Sequence, residues 1–213
     1  MFVPQYWVRL TMARHGGERP DFPGTGGEMA AHLIELLGLE DVQLEETDKG
    51  DHYDPQSRTV RLSPANLNGR SLTAVAVAAH EVGHALQHAR GERGLQLRQT
   101  LAAIAAVTDR IAVFFLFSAP VLGLVVRSPL ALLILVGIGV SLLAVRVAVH
   151  LVTLPVEFDA SFGKALPMLR DGGYLSEADL AAARGVLRAA AMTYVASALA
   201  SLLDLARWIR FLR

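Results

Sequence analysis

Five residues carry the plainest chemistry in the chain: His80-Glu81-Val82-Gly83-His84, an H-E-x-x-H pattern. On a helix, positions four apart lie one above the other, so both imidazoles can hold a single metal ion. Zinc (Zn2+) takes imidazole nitrogen at ~2.0–2.1 Å and, in hydrolytic sites, keeps one position for water. The metal lowers the pKa of that water to roughly 7, which makes hydroxide available at neutral pH. Glu81, beside His80, is placed as the general base that receives the proton and later passes it to a leaving amine. The pattern points to amide hydrolysis.

That reading requires a helix, and the flanking residues supply one. No proline lies between Ser71 and Arg90, and most residues there are alanine, valine and leucine. Ser71 can cap the start and Gly91 can end it. Upstream, Thr25-Gly26-Gly27-Glu28 matches a capping box and opens an apolar helix through Leu37, with Gly38 at its end. Residues 42–45 and 59–62 alternate as half-buried strands do, so a small β-strand pair precedes the metal helix. A strand edge beside the metal could hold an extended peptide. Asp48-Lys49-Gly50-Asp51 reads as a turn. Residues 1–24 read as irregular, with a short extended piece over 6–10, and as neither signal peptide nor membrane anchor.

Two histidines leave a hydrolytic zinc site one protein ligand short. His88 lies four residues beyond His84, which puts it about 12 Å along the axis from His80. With nothing to break the helix, His88 is expected to be a supporting, substrate-facing or surface residue. His150 reads as a satisfied buried histidine, with ligation kept open because ionisable groups inside apolar segments often carry function. The best candidate is Glu157, in Leu154-Pro155-Val156-Glu157-Phe158-Asp159-Ala160-Ser161. Asp159 is then expected to steady a histidine ring or close the site. The bland alternative makes both of them ordinary carboxylates at a helix start.

The middle of the chain changes character. Residues 111–126 and 129–145 are apolar and uncharged, separated by Arg127-Ser128. A membrane crossing needs ~20 residues over ~30 Å of hydrocarbon. We therefore expect a transmembrane helical hairpin over 111–152, turning at Arg127-Ser128, against the alternative of two buried core helices. Such a hairpin would carry Glu157 back to the helix bearing His80 and His84. Residues 186–205 form a third apolar helix, a weaker span candidate, and residues 207–213 mix aromatics and arginines as interfacial anchors do. Arg98, Arg110, Lys164, Arg170 and Arg184 fall on the site's side of the hairpin. By the positive-inside rule, the site then faces the cytoplasm of a bacterial plasma membrane.

Composition agrees with this reading. The 213 residues are 53% hydrophobic, with 20 basic and 20 acidic side chains and no cysteine. Balanced charge offers no nucleic-acid surface, and the lack of thiols leaves histidine and carboxylate as metal ligands. No pattern specifies an oligomer. The expected fold is mainly α: a zincin-like H-E-x-x-H helix, a small strand pair, a transmembrane hairpin and a third apolar C-terminal helix. Its segments are 1–24, 25–110 (the core with the H-E-x-x-H helix), 111–152 and 153–213.

The chain also resembles the YugP-type membrane zinc metallopeptidases, the neutral zinc metallopeptidase family. The matching stretches are Gly24-Thr25-Gly26, Asp51-His52-Tyr53-Asp54-Pro55, Val60-Arg61-Leu62-Ser63, Val77-Ala78-Ala79-His80-Glu81-Val82-Gly83-His84-Ala85, the run from Leu154 to Ser161, and Ala189-Ala190-Ala191-Met192-Thr193-Tyr194-Val195-Ala196. The resemblance implies a membrane-bound peptidase acting on a peptide or protein, in contact with membrane lipid. It implies one zinc on His80, His84 and, by analogy with the E-x-x-A-D element of CAAX-prenyl-protease-like enzymes, Glu157. This chain reads E-F-D-A-S there, so that analogy is partial. Members commonly open with a membrane helix, which residues 1–23 lack. His52 or Tyr53 could donate to the oxyanion formed at the substrate carbonyl; otherwise Asp51, Asp54 and Pro55 simply build a turn. The rival to an endopeptidase is a membrane protein with a structural zinc or an inactive scaffold. The intact Glu81 speaks against it, since a structural site needs no base.

Overall fold

The central element is helix α4 (Leu72–Ala89), whose residues from Leu72 to Gln87 are all buried. A helix that is apolar all round has to be surrounded, and the alanines at 74, 76, 78, 79 and 85 let its neighbours approach closely. Ser71 caps it, its hydroxyl accepting from Ala74 N–H at 3.1 Å. Gly91 ends it: its φ of +64° lies in the left-handed region, where a side chain is strained. Glu92 N–H then bonds back to the Gln87 carbonyl at 3.0 Å. Both ends therefore stand where the sequence puts them.

This computed structural model describes residues 3–126 and 128–211. They divide into two compact units, one comprising Val3–Gln96 and Leu154–Thr193, the other Leu97–Thr153 and the residues from Tyr194 onward. The first unit begins with α1 (Val3–Arg14) and α2 (Gly26–Leu36), whose Thr25 capping box forms in full. Three strands follow: β1 (Gln43–Glu46), β2 (His52–Asp54) and β3 (Thr59–Leu62). Next come the short α3 (Pro64–Asn68), then α4. After the second unit the chain returns through a π-helical turn (Asp159–Ala165) and α7 (Leu166–Asp171). Leu33, Val60, Leu62, Leu169, Val186 and Leu187 close the core around α4.

Two expectations for this unit change. Residues 3–14 are helical, not irregular or extended. Pro4 sits in the first turn, where a missing N–H costs nothing, and no glycine or proline follows until Gly16. The helix is anchored at its end, Thr73 Oγ1 donating to the Met12 carbonyl at 2.8 Å. The strand pair is a three-stranded sheet in the order β1-β3-β2. β1 runs parallel to β3, and β2 antiparallel. β2 hides in the sequence because Asp51, Asp54 and Pro55 send a turn signal around three residues.

Those aspartates hold the sheet together. Asp51 accepts from Ser63 N–H, Ser63 Oγ and Asn66 Nδ2 at 2.7, 2.9 and 2.7 Å. Arg61, on the central strand, reaches Asp54 on β2 at 2.7 Å and Glu45 on β1 at 2.9 Å. The Arg61 hydrogen bond holds the Asp54 carboxyl down at about 2. A carboxyl whose folded pKa is depressed contributes stability above its unfolded value, and that contribution disappears as pH falls toward 2. Asp54→Asn should therefore lower unfolding stability by about 1 kcal/mol at pH 7, allowing for solvent screening. The difference from wild type should close between about pH 4 and pH 2. Urea unfolding across that range checks it.

The second unit holds most of α5 (Arg93–Val126) and α6 (Pro129–Phe158), with the far part of α8 (Glu177–Phe211). The expected third apolar helix, 186–205, is part of α8. The transmembrane hairpin is not supported: among the described residues, no helix is long and apolar enough to cross a membrane. The uncharged runs, 111–126 and 128–145, are 16 and 18 residues, short of the ~20 of a typical crossing. Asp109 and Arg110 bound the first and Arg146 ends the second. The orientation drawn from that hairpin loses its basis with it. The turn residue Arg127, and Leu212 and Arg213 of the anchor, lie outside the described residues.

Candidate metal centre

Helix α4 brings His80 and His84 onto one face with ring centroids 4.7 Å apart. Glu157 arrives from the end of α6, two residues after Pro155, which lacks the N–H to continue the helix ladder. The π-helical turn begins two residues later; such widened turns cluster at functional sites. Glu157 Oε2 lies 3.3 Å from His80 Nε2 and 3.3 Å from His84 Nε2. All three side chains are buried, at 4%, 2% and 1% exposure. Among the described residues this is the cluster whose donor atoms, all within 4.8 Å of one another, could hold a metal ion. Two imidazole nitrogens and one carboxylate oxygen are the donor set of a class of hydrolytic zinc sites. The residues present fit zinc.

A second layer surrounds the three. Gln87 Oε1 lies 2.9 Å from His84 Nδ1, and Gln87 Nε2 donates to the Val156 carbonyl at 3.0 Å and to Asp159 Oδ2 at 2.7 Å. Ser161 Oγ lies 3.0 Å from His80 Nδ1 and donates to the Leu187 carbonyl at 3.1 Å. Lys164 Nζ reaches Asp159 at 2.8 Å and Glu92 at 3.1 Å. Burial works to raise the Asp159 carboxyl, yet the hydrogen bonds from Lys164 and Gln87 hold it below the usual carboxylate range.

Glu81 is buried in the same helical turn as His80. Asp159 reaches His84 only through the Gln87 amide. His88 is not among the three donors; its Nδ1 pairs with the Tyr53 hydroxyl at 2.7 Å. Burial pushes the Tyr53 phenol up to about 12, so it stays protonated at neutral pH. His52 turns its Nδ1 to the Gly50 carbonyl at 2.8 Å. His150 is not part of the cluster. Gln87, Ser161 and Lys164 were not expected from the sequence. Gln87 was within reach, because three positions after His84 is the same helix face. Ser161 was not: its direction depends on the π turn.

Across residues 1–213 the chain matches the family described as "Putative neutral zinc metallopeptidase". The chain belongs to this family. One relative of the chain is the "Putative membrane protease YugP" of Bacillus subtilis (strain 168). It is 36% identical over 211 residues, which cover 98% of this chain and 89% of the relative. No solved structure matches the chain. Zinc is the metal that the family's description names, and the buried cluster could hold it.

One position inside the motif sets how closely helix α4 and the π turn pack. A Cβ on Gly83 would meet the Ala160 carbonyl oxygen at 2.8 Å and Lys164 Cβ at 3.3 Å. Gly83→Ala should therefore force α4 and the π turn apart. Metal sites tolerate only ~0.5 Å of such displacement. Thermal unfolding and zinc titration should show a loss of about 1–3 kcal/mol of stability and weaker zinc binding together.

Proposed function

We propose that the chain is a zinc-dependent endopeptidase in which His80, His84 and Glu157 hold the metal and Glu81 is the general base. The observation that carries this is the meeting of two imidazole Nε2 atoms on one buried carboxylate oxygen, each at 3.3 Å. Bound there, zinc supplies a Lewis acid that acidifies water and polarises the substrate carbonyl. Glu81 takes a proton onto its carboxylate from the attacking water and delivers it to the departing amine. The three protein donors come from two segments far apart in sequence, so the site assembles only in the folded chain.

Of the two sheet edges, β2 is the one that packs on α4. An extended substrate could pair with that edge by backbone hydrogen bonds. Asp51 and Asp54 are occupied in holding the sheet, and the Tyr53 hydroxyl is engaged by His88. These contacts favour a structural role for the D-H-Y-D-P run over oxyanion stabilisation. The relative's printed name places that protein at a membrane. In this chain Phe114, Val121 and Leu130 stand 67%, 63% and 67% exposed, which supports reading residues 97–153 as the part that meets lipid.

The purified chain should contain one zinc and cleave a quenched fluorescent peptide. Chelation should stop cleavage and added zinc should restore it. A protein that folds, holds no zinc and cleaves nothing would sink the reading.

A further inference from the structure

The partners of the Gln87 amide dictate which way round it sits. Its Nε2 lies 3.0 Å from the Val156 carbonyl and 2.7 Å from Asp159 Oδ2. A carbonyl and a carboxylate can only accept, so the NH2 must be at that end and both of its hydrogens are used. Asp159 is kept available as an acceptor by Lys164, itself held by Glu92. The other end of the amide, Oε1, is 2.9 Å from His84 Nδ1 and can only accept. The hydrogen of that imidazole must therefore be on Nδ1, which leaves Nε2 with its lone pair toward Glu157 Oε2. Turning the amide over would set its oxygen against two other acceptors. His80 is oriented similarly: the single Ser161 proton goes to the Leu187 carbonyl, and Ser161 Oγ is left to accept from His80 Nδ1.

The same amide does a second thing. Val156 directly precedes Glu157. By gripping the Val156 carbonyl, Gln87 ties the backbone that carries the carboxylate to the helix that carries both histidines. One buried side chain, 1% exposed, thus acts on two of the three donors.

We propose that Gln87 is a positioning residue for the metal: it fixes the tautomer of His84 and clamps the segment bearing Glu157, with Asp159 and Lys164 holding its amide in place. The proposal rests on reading His80, His84 and Glu157 as the zinc site. Gln87→Leu keeps much of the volume and removes all three hydrogen bonds. Gln87→Glu keeps an acceptor for His84 but sets a carboxylate against Val156 O and Asp159. Pairing it with Asp159→Asn returns a donor to that contact.

The test is zinc affinity of the purified full chain, by competition with a chromophoric chelator. Gln87→Leu and Gln87→Glu should each bind zinc ~10–100-fold more weakly than wild type, the range for residues that support a ligand. Gln87→Glu with Asp159→Asn should recover a large part of the loss. Affinity unchanged within twofold in both single variants overturns the proposal, as does a double variant no better than Gln87→Glu alone. Nitrogen-15 spectra of the zinc-free wild type, at a pH where both imidazoles are neutral, test the tautomer even if the variants fail to fold. Hydrogens should be found on Nδ1 of both His80 and His84, and a hydrogen on Nε2 of His84 overturns the proposal. A wild type that binds no zinc would instead overturn the metal-site reading beneath it.

Discussion

Glu81→Gln should abolish peptide cleavage while zinc content stays at the wild-type level. Glutamine has the size and shape of glutamate but cannot take a proton at neutral pH. General base catalysis is worth about 10²–10⁴-fold, and the drop should fall in or beyond that range. Glu81 is not one of the three donors that converge, so its loss should leave the metal held. The pairing of the two readouts gives the experiment its force. Lost cleavage with lost zinc would mean a damaged site and say nothing of a base. Retained zinc with retained cleavage would remove Glu81 from the mechanism. A variant and a wild type that both bind zinc and both leave every peptide intact would favour a structural metal. Zinc by atomic emission and cleavage of a fluorescent peptide, on the same preparations, are sufficient.

Glu157→Ala should cost the protein its metal. The carboxylate is the donor on which both imidazoles converge, and its removal leaves two protein ligands in a buried space. The loss should exceed the ~100-fold upper range seen for supporting residues. A second readout follows from linkage. A ligand that binds only the folded state stabilises it by about 4 kcal/mol at a thousand times its dissociation constant. Zinc should therefore raise the melting temperature of the wild type strongly and that of Glu157→Ala hardly at all. If Glu157→Ala keeps wild-type zinc and the same zinc-induced shift, another side chain is the third ligand.

Much of this site can be read in the one-dimensional chain, and the reasons are local. His80, Glu81 and His84 need only a helix, and Ser71 and Gly91 mark both of its ends. Thr25 and Glu28 announce the start of α2 in the same way. Glu157 stands out as a carboxylate that follows Leu154-Pro155-Val156 at the end of a largely apolar stretch. The route that suggested its return, a membrane-crossing pair, did not hold: hydropathy counts apolar residues, and each of the two uncharged runs is shorter than a typical crossing. What stayed hidden depends on more than neighbours in sequence. β2 is three residues long and its turn-forming aspartates outweigh its strand pattern, although those same aspartates are what seat it. The 3–14 helix is capped by contacts with Thr73, which no local rule anticipates. Ser161 faces His80 only because the backbone there winds more widely than an α-helix.

That wider winding has an evolutionary corollary. Five residues separate successive hydrogen-bonded partners between Asp159 and Ala165 instead of four, which is how an extra residue is absorbed into an ongoing helix. Deleting one residue there would restore ordinary winding, yet it would rotate everything downstream by about 100°. Lys164 and α7 would then face new neighbours, while the carboxylate ahead of them stayed where it was. Length variation among related chains should thus be purged between 157 and 165, and accumulate instead in the surface turns around 48–50 and 172–173.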